Sequence, residues 1–141
     1  MKKGFTLIEI VVILGILVIL MGISIQSING VRTYRQKLAV KNFISDLNSA
    51  RGYAVANNKR VSVKISEDSY SYEINDDFIF QKLPEGLILE PETKEYKDIV
   101  FTRKGVSSRE AGRTINFKTE RKTYTVTISP VSGKVRLRSG K

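Results

Sequence analysis

Residues 1–24 read MKKGFTLIEIVVILGILVILMGIS, and the rest of the chain is interpreted outward from them. Between Phe5 and Ser24 only Thr6, Glu9 and Ser24 are neither apolar nor glycine. At roughly 1.5 Å per residue the run makes about 30 Å of helix, the depth of a bilayer's hydrocarbon core. It is apolar on every face instead of along one stripe, so it predicts a membrane span over residues 5–25 in preference to a core helix of a soluble domain. Lys2 and Lys3 before it favour a cytoplasmic start. Arg32, Arg35, Lys37 and Lys41 beyond it weigh the other way, so charge alone does not set the orientation. A cleaved secretory signal fits poorly, because the run is too long and no small-x-small site follows it.

Glu9 is the informative residue of the span. A carboxylate among apolar side chains is costly unless a cation neutralises it, so an intramembrane acid points to function. A cut between Gly4 and Phe5 would supply that cation. The new α-amine of Phe5 would lie four residues from Glu9, and among parallel helices a neighbour's amine could be brought level with it. The plainer reading is a glutamate near the interface that reaches outward to water.

The string MKKGFTLIEIVV, a short basic leader followed by Gly4, Phe5, Thr6-Leu7-Ile8, Glu9 and a long apolar helix, resembles the class III signal of type IV pilins and type II secretion pseudopilins. The resemblance implies cleavage after Gly4 by a prepilin peptidase, N-methylation of Phe5, and use of Glu9 to register incoming subunits in a filament. It also implies a single-pass protein of the bacterial inner membrane with a cytoplasmic N-terminus and an extracytoplasmic head. Many members of the family carry a proline partway along the span. The prolines here are Pro84, Pro91 and Pro130, which leaves Gly22 as the weak point of the helix.

After the span the pattern becomes amphipathic. Val40, Phe43, Ile44, Leu47, Ala50 and Ala54 recur at three- and four-residue intervals with Lys41, Asp46, Asn48 and Arg51 between them, which predicts one helix from Phe5 to about Ala56, ended by Asn57-Asn58. Such a helix is about 75–80 Å long, too long to be packed entirely within 141 residues, so its first half is expected to project. Next comes period-two alternation. Val61, Val63 and Ile65 form one strand, residues 66–69 turn the chain, and Tyr70, Tyr72 and Ile74 answer in a second. Further short strands are expected at 78–81, 87–90, 98–102, 114–118, 123–129 and 134–138, set apart by Gly, Pro, Asp or Ser. The predicted fold class is α+β, a long N-terminal helix packed through its second half on an antiparallel β head. The layout is a leader at 1–4, the membrane half of the helix at 5–25, its amphipathic half at 26–57, and the head at 58–141. Within the family, the long helix, the β head and the segment SGKVRLR look most like the pseudopilin H and FimT class of minor subunits.

Charge is concentrated at the other end. The chain carries 24 Lys and Arg against 14 Asp and Glu, a balance of +10; from Arg103 onward there are 11 basic residues against Glu110 and Glu120 alone. A regional excess of this size suits a polyanion, either nucleic acid or an anionic membrane surface; a solvated basic face is the bland alternative. In a strand, Lys134, Arg136 and Arg138 share one face at intervals of about 6.6 Å while Val135 and Leu137 take the other. That row suits sequence-independent contact with a phosphate backbone, and equally suits an edge strand guarded by cations. FimT-type proteins implicated in DNA uptake have a Gly-Arg-x-Arg motif that this chain resembles at Gly133, Lys134, Val135 and Arg136. Lysine stands at the first arginine, which keeps charge but loses the bidentate fork. Arg103, Lys104, Arg109, Arg113 and Lys141 would join the row if the loop over 103–113 folds back.

His and Cys are absent, which excludes disulfides, the usual zinc and iron-sulfur ligands, thiol chemistry and a Ser-His-Asp triad. The acid pairs Glu67-Asp68 and Asp76-Asp77 fall in polar turns, Ser107-Ser108 lacks a base, and no catalytic or phosphate-loop motif occurs. No enzyme, cofactor or metal is expected. The expected partners are the prepilin peptidase, other pilins or pseudopilins, the membrane, and DNA without sequence preference. The rival reading is an unprocessed bitopic membrane protein whose extracytoplasmic β domain binds a ligand.

Overall fold

The computed structural model describes residues 6–91, 98–107 and 113–139, with the side chains at 23–29, 91 and 139 outside that description. Helix α1 (Leu7–Ala56) opens at Thr6, whose carbonyl accepts from the N–H groups of Glu9 and Ile10 at 3.1 and 3.3 Å. Thr6 and Glu9 stand in the Thr-x-x-Glu spacing that favours a helix start, and the acid in the first turn complements the positive end of the helix dipole. The helix stops where the two asparagines predict. Asn58 adopts a left-handed backbone at φ 52°. The N–H of Lys59 returns to the Ala54 carbonyl at 3.1 Å and that of Asn58 to Val55 at 3.4 Å, the paired bonds that satisfy the last carbonyls of a helix.

The chain forms two compact units, Met1–Arg35 and Gln36–Lys141. In the first, every large apolar side chain described from Leu7 to Met21 is exposed. In the second, Val40, Phe43, Leu47, Ala50 and Ala54 are buried along one helix stripe, and Ile44 packs at its margin. Spacings of three and four residues place these side chains on a single face.

Among the described residues eight strands cover that stripe in two antiparallel sheets. The first sheet holds β1 (Val61–Ile65), β2 (Ser69–Ile74), β3 (Asp77–Lys82) and β5 (Asp98–Phe101) in the order β3-β2-β1-β5; the second holds β4 (Ile88–Pro91), β6 (Arg113–Lys118), β7 (Thr123–Ile128) and β8 (Val135–Ser139) in the order β4-β6-β7-β8. The α+β class predicted from the sequence is the observed one. The expected strands occur with ends within a residue or two of their predicted limits, but the head divides into two sheets where the sequence reading had a single β unit. The division arises because β1 pairs with β5, not only with its neighbour β2. Hairpin signals are local, whereas that pairing spans more than thirty residues.

Phe43 joins the two sheets. Its ring meets Tyr70 of β2 at 4.8 Å and 81°, and Phe117 of β6 at 5.0 Å and 69°, both edge-to-face geometries. The acidic turn before β2 adds a second tie, since the Asp68 carbonyl accepts from the Leu83 N–H at 2.7 Å and the Glu67 carbonyl from the Leu89 N–H at 2.9 Å. Between β2 and β3, Asn75 and Asp76 have φ of 55° and 65°, the two-residue turn whose twist matches antiparallel strands. Gly133, at φ +62°, must stay a glycine, because a Cβ there would overlap the carbonyl of Gly105.

Phe43→Ala should cost about 3–5 kcal/mol, as expected for emptying a large aromatic site. Denaturant unfolding of the full chain in detergent, followed by near-ultraviolet circular dichroism, reads it. A cost below about 1 kcal/mol would remove Phe43 from its role as the joint between sheets.

Candidate functional site

The processing residues Gly4 and Phe5 lie outside the described residues. Glu9 occupies the first turn of α1 and is exposed, among exposed Leu7, Ile8, Ile10 and Val12. Hydropathy alone singles out this acid, and the Thr6-x-x-Glu9 spacing places it at a helix start as well. Among the described residues no helix is long and apolar enough to cross a membrane; the described side chains of the apolar run cover 6–22, and the expected span over 5–25 reaches beyond them at both ends.

At the other end, β8 is the edge of its sheet. Arg136 stands opposite Thr127 and Arg138 opposite Thr125, while Val135 and Leu137 stand opposite Ile128 and Val126, which are buried. The two arginines therefore share the solvent face, as the alternation predicts. Lys134 precedes the strand. Its carbonyl accepts from the Ser129 N–H at 3.0 Å, and the Gly133 N–H bonds back to Ser129 at 2.9 Å, so the lysine sits at the mouth of the turn. With Gly133 at positive φ in the turn, the strand starts one residue later than the alternation of its cations predicts.

Arg103 and Lys104 precede Gly105 in the turn from Thr102 to Val106, which closes through the Thr102 N–H to Val106 O bond at 2.8 Å. The close approach of Gly105 and Gly133 brings this turn against the β7–β8 turn. Arg51 of α1 clamps the junction, its Nε donating to the Gly105 carbonyl at 2.9 Å. The beginning of the 103–113 loop thus folds back toward Lys134, whereas Arg109 and Lys141 lie outside the described residues. Arg113 is drawn elsewhere, its guanidinium donating to the Asp98 carbonyl.

Among the described residues no catalytic grouping emerges elsewhere. An open groove on the outer face of the first sheet runs past Lys64, Ser71 and Phe78 to Arg60 and Tyr53, with Glu73 and Asp76 in its wall. Among the described residues no cluster of His, Cys, Asp and Glu could hold a metal ion. The strongest perturbation is structural. The Tyr70 hydroxyl donates to Asp46 Oδ2 at 2.6 Å, and burial, then Asp46, pushes its ionisation well above the ordinary tyrosine value. Tyr72 is pushed up to about 12, by burial first and by the nearby Asp46 charge second.

A long N-terminal helix whose second half packs on an antiparallel β head is the type IV pilin-like fold, and this chain has it. It is similar in structure to the type IV minor pilin FimU of Pseudomonas aeruginosa PAO1 in two crystal forms. The TM-scores are 0.63 and 0.62 at 15% identity, over 75% and 74% of this chain and 92% and 97% of FimU. It is likewise similar to the minor pseudopilin EpsH from the type 2 secretion system of Vibrio cholerae, with a TM-score of 0.59 at 16% identity over 74% of this chain and 97% of EpsH. No protein-family profile matches the chain, and no curated protein matches its sequence.

The two tyrosines set an alkaline limit. Both hold their protons more tightly when folded than at the unfolded value of about 10, so their contribution is complete below that pH and is lost as pH rises, for Tyr72 between about 10 and about 12. Denaturant midpoints should fall across this window. Tyr70→Phe should lower stability near neutral pH by about 1–3 kcal/mol, because Asp46 loses its donor, and should flatten the alkaline decline. A midpoint unchanged from about pH 9 to about pH 12 would contradict the assignment.

Proposed function

We propose that the chain is a minor pilin or pseudopilin, a non-enzymatic structural subunit of a type IV pilus-like or type II secretion filament, inserted in the inner membrane and cleaved after Gly4. The observation that carries this reading is the pilin-like fold of a chain whose helix begins two residues after a Gly4-Phe5 junction and bears Glu9 in its first turn. On this reading residues 1–4 are a leader that the prepilin peptidase removes. Residues 5–25 hold the subunit in the membrane, 26–57 join it to the head, and 58–141 present the head outside the cytoplasm. Phe5 becomes the methylated N-terminus. Its amine carries the positive charge that Glu9 of an adjacent subunit requires in an apolar setting, and the exposed apolar side chains from Leu7 to Met21 meet lipid before assembly and other helices after it.

A contact with DNA belongs to the same proposal. Arg136 and Arg138 share an exposed face, Lys134 sits at the turn before them, and the turn of Arg103 and Lys104 packs alongside. These cations can neutralise successive phosphates without reading bases.

Intact-mass analysis of the protein made beside a prepilin peptidase should find an N-terminus at methylated Phe5. A mature N-terminus at Met1 would favour the unprocessed bitopic alternative. Glu9→Val should leave the protein processed yet stranded in the membrane fraction, and normal incorporation into filaments would overturn the charge-pairing role. Full chain in detergent should bind duplex DNA without sequence preference. Replacing Lys134, Arg136 and Arg138 with glutamine should reduce the slope of log affinity against log salt by about 3. An unchanged slope would restrict the row to guarding the edge of the sheet.

A further inference from the structure

The second sheet turns a polar face outward. Ile115 and Phe117 of β6 and Tyr124, Val126 and Ile128 of β7 are buried on its inner side, so alternation puts Thr114, Asn116 and Lys118 of β6 and Thr123, Thr125 and Thr127 of β7 on the other. Arg136 and Arg138 of β8 stand on that same side. Among the described residues these three strands place no apolar side chain there. The registers arrange the groups in rows. Arg136 lies opposite Thr127, which lies opposite Thr114; Arg138 lies opposite Thr125, which lies opposite Asn116. At about 4.8 Å between strands and about 6.8 Å between alternate residues, the two rows cover a patch about 10 Å across the strands and about 7 Å along them.

The patch offers hydrogen-bond donors and positive charge. Thr125 Oγ1 donates to Asn116 Oδ1 at 3.0 Å, which engages the acceptor of that amide within the sheet and leaves its N–H groups as the part offered outward. Thr127 is exposed, and Thr114, Asn116 and Thr125 are half-buried. The acid at the far end of the second row, Glu90 of β4, is taken by Lys118 at 2.5 Å. The outer face of the first sheet differs in both respects. It carries exposed Phe78 and Phe80, and its Lys64 and Lys82 are matched by Glu73 and Asp98. Only the second sheet joins a basic excess to an array of neutral donors, the combination that holds a phosphate backbone.

We propose that duplex DNA lies across the outer face of the second sheet and not only along its edge strand. Arg136 and Arg138 pair with phosphates, and Thr114, Asn116, Thr125 and Thr127 donate hydrogen bonds to the phosphate oxygens beside them. The inference rests on the DNA contact proposed above and supplies the neutral half of its site. Side chains stand roughly perpendicular to a sheet, so the arginine heads of β8 project over the face. A double helix seated on them is far wider than one strand and covers β7 and β6 as well. An anionic membrane surface suits the patch less, because these strands present nothing there to enter lipid.

Neutral donors and cations mark binding differently, because only cations release counterions. Titration of the full chain in detergent with random-sequence duplex DNA, over a range of salt, separates them. Thr114→Val, Thr125→Val and Thr127→Val combined preserve shape and strand propensity. They should weaken binding about tenfold at every salt concentration and leave the slope of log affinity against log salt unchanged. Asn116→Asp should weaken binding about tenfold or more, whereas Ser71→Asp, an equal charge change on the outer face of the first sheet, should stay within about twofold of the unaltered chain. Full affinity in the valine variant, with native far-ultraviolet circular dichroism, would overturn the proposal. Equal losses from Asn116→Asp and Ser71→Asp would do the same by reducing the effect to net charge. In both cases a slope that still falls when Lys134, Arg136 and Arg138 are replaced would leave the functional proposal standing, while no binding by the unaltered chain would remove both. Anionic bicelles whose binding, and not that of DNA, weakens in the valine variant would assign the face to lipid headgroups instead.

Discussion

The second unit is organised around the ring of Phe43. Tyr70 meets one of its edges and Phe117 another, so one helical side chain serves as common core for two sheets that do not share a strand. Small Ala50 and Ala54 further along the same stripe are fully buried, which lets the strands approach the helix closely where no large ring is needed. Around this centre, Tyr70 is bonded to Asp46, Arg51 to the Gly105 turn and Gln36 to the Glu85 carbonyl at 3.2 Å. The helix thus contributes an apolar stripe and, on its flanks, the polar groups that fix loops. A buried donor or acceptor without a partner costs more than the bond itself gains, so these contacts specify position as much as they stabilise.

Much of this was legible because the signals are local. The stripe from Val40 to Ala54 follows the 3.6-residue period, the Asn57-Asn58 stop follows from asparagine's tolerance of left-handed backbone, and the first hairpin follows from alternation between Val61 and Ile74. The partners of each element were not legible. Periodicity says that Phe43 is buried, but not that it meets Tyr70 and Phe117. Nothing near Asp98 announces pairing with β1, and that pairing is what separates the two sheets. The position of Lys134 outside its strand depended on Gly133 packing against a turn nearly thirty residues away, a contact with no counterpart in local pattern.

The two ends of the chain invite different physics. Near the N-terminus a single exposed acid stands in an apolar run, where a carboxylate without a cation is costly in any setting of low dielectric. Near the C-terminus several exposed cations stand together at the edge of a sheet, where salt screens each one. The fold keeps the Tyr70–Asp46 bond between them as a third case, a neutral donor on a charged acceptor within a packed core.

The division of the strands into two sheets has a consequence for how independent the β region is. Its strands are complete as ladders, yet the slot between the ladders is filled by residues 36–54, which precede them all. Without that helical segment the β region would be hollow, with Phe117, Leu89 and Ile99 turned toward water. The smallest self-sufficient piece of this molecule therefore begins inside the helix, and the strands borrow their interior from the rod that carries them.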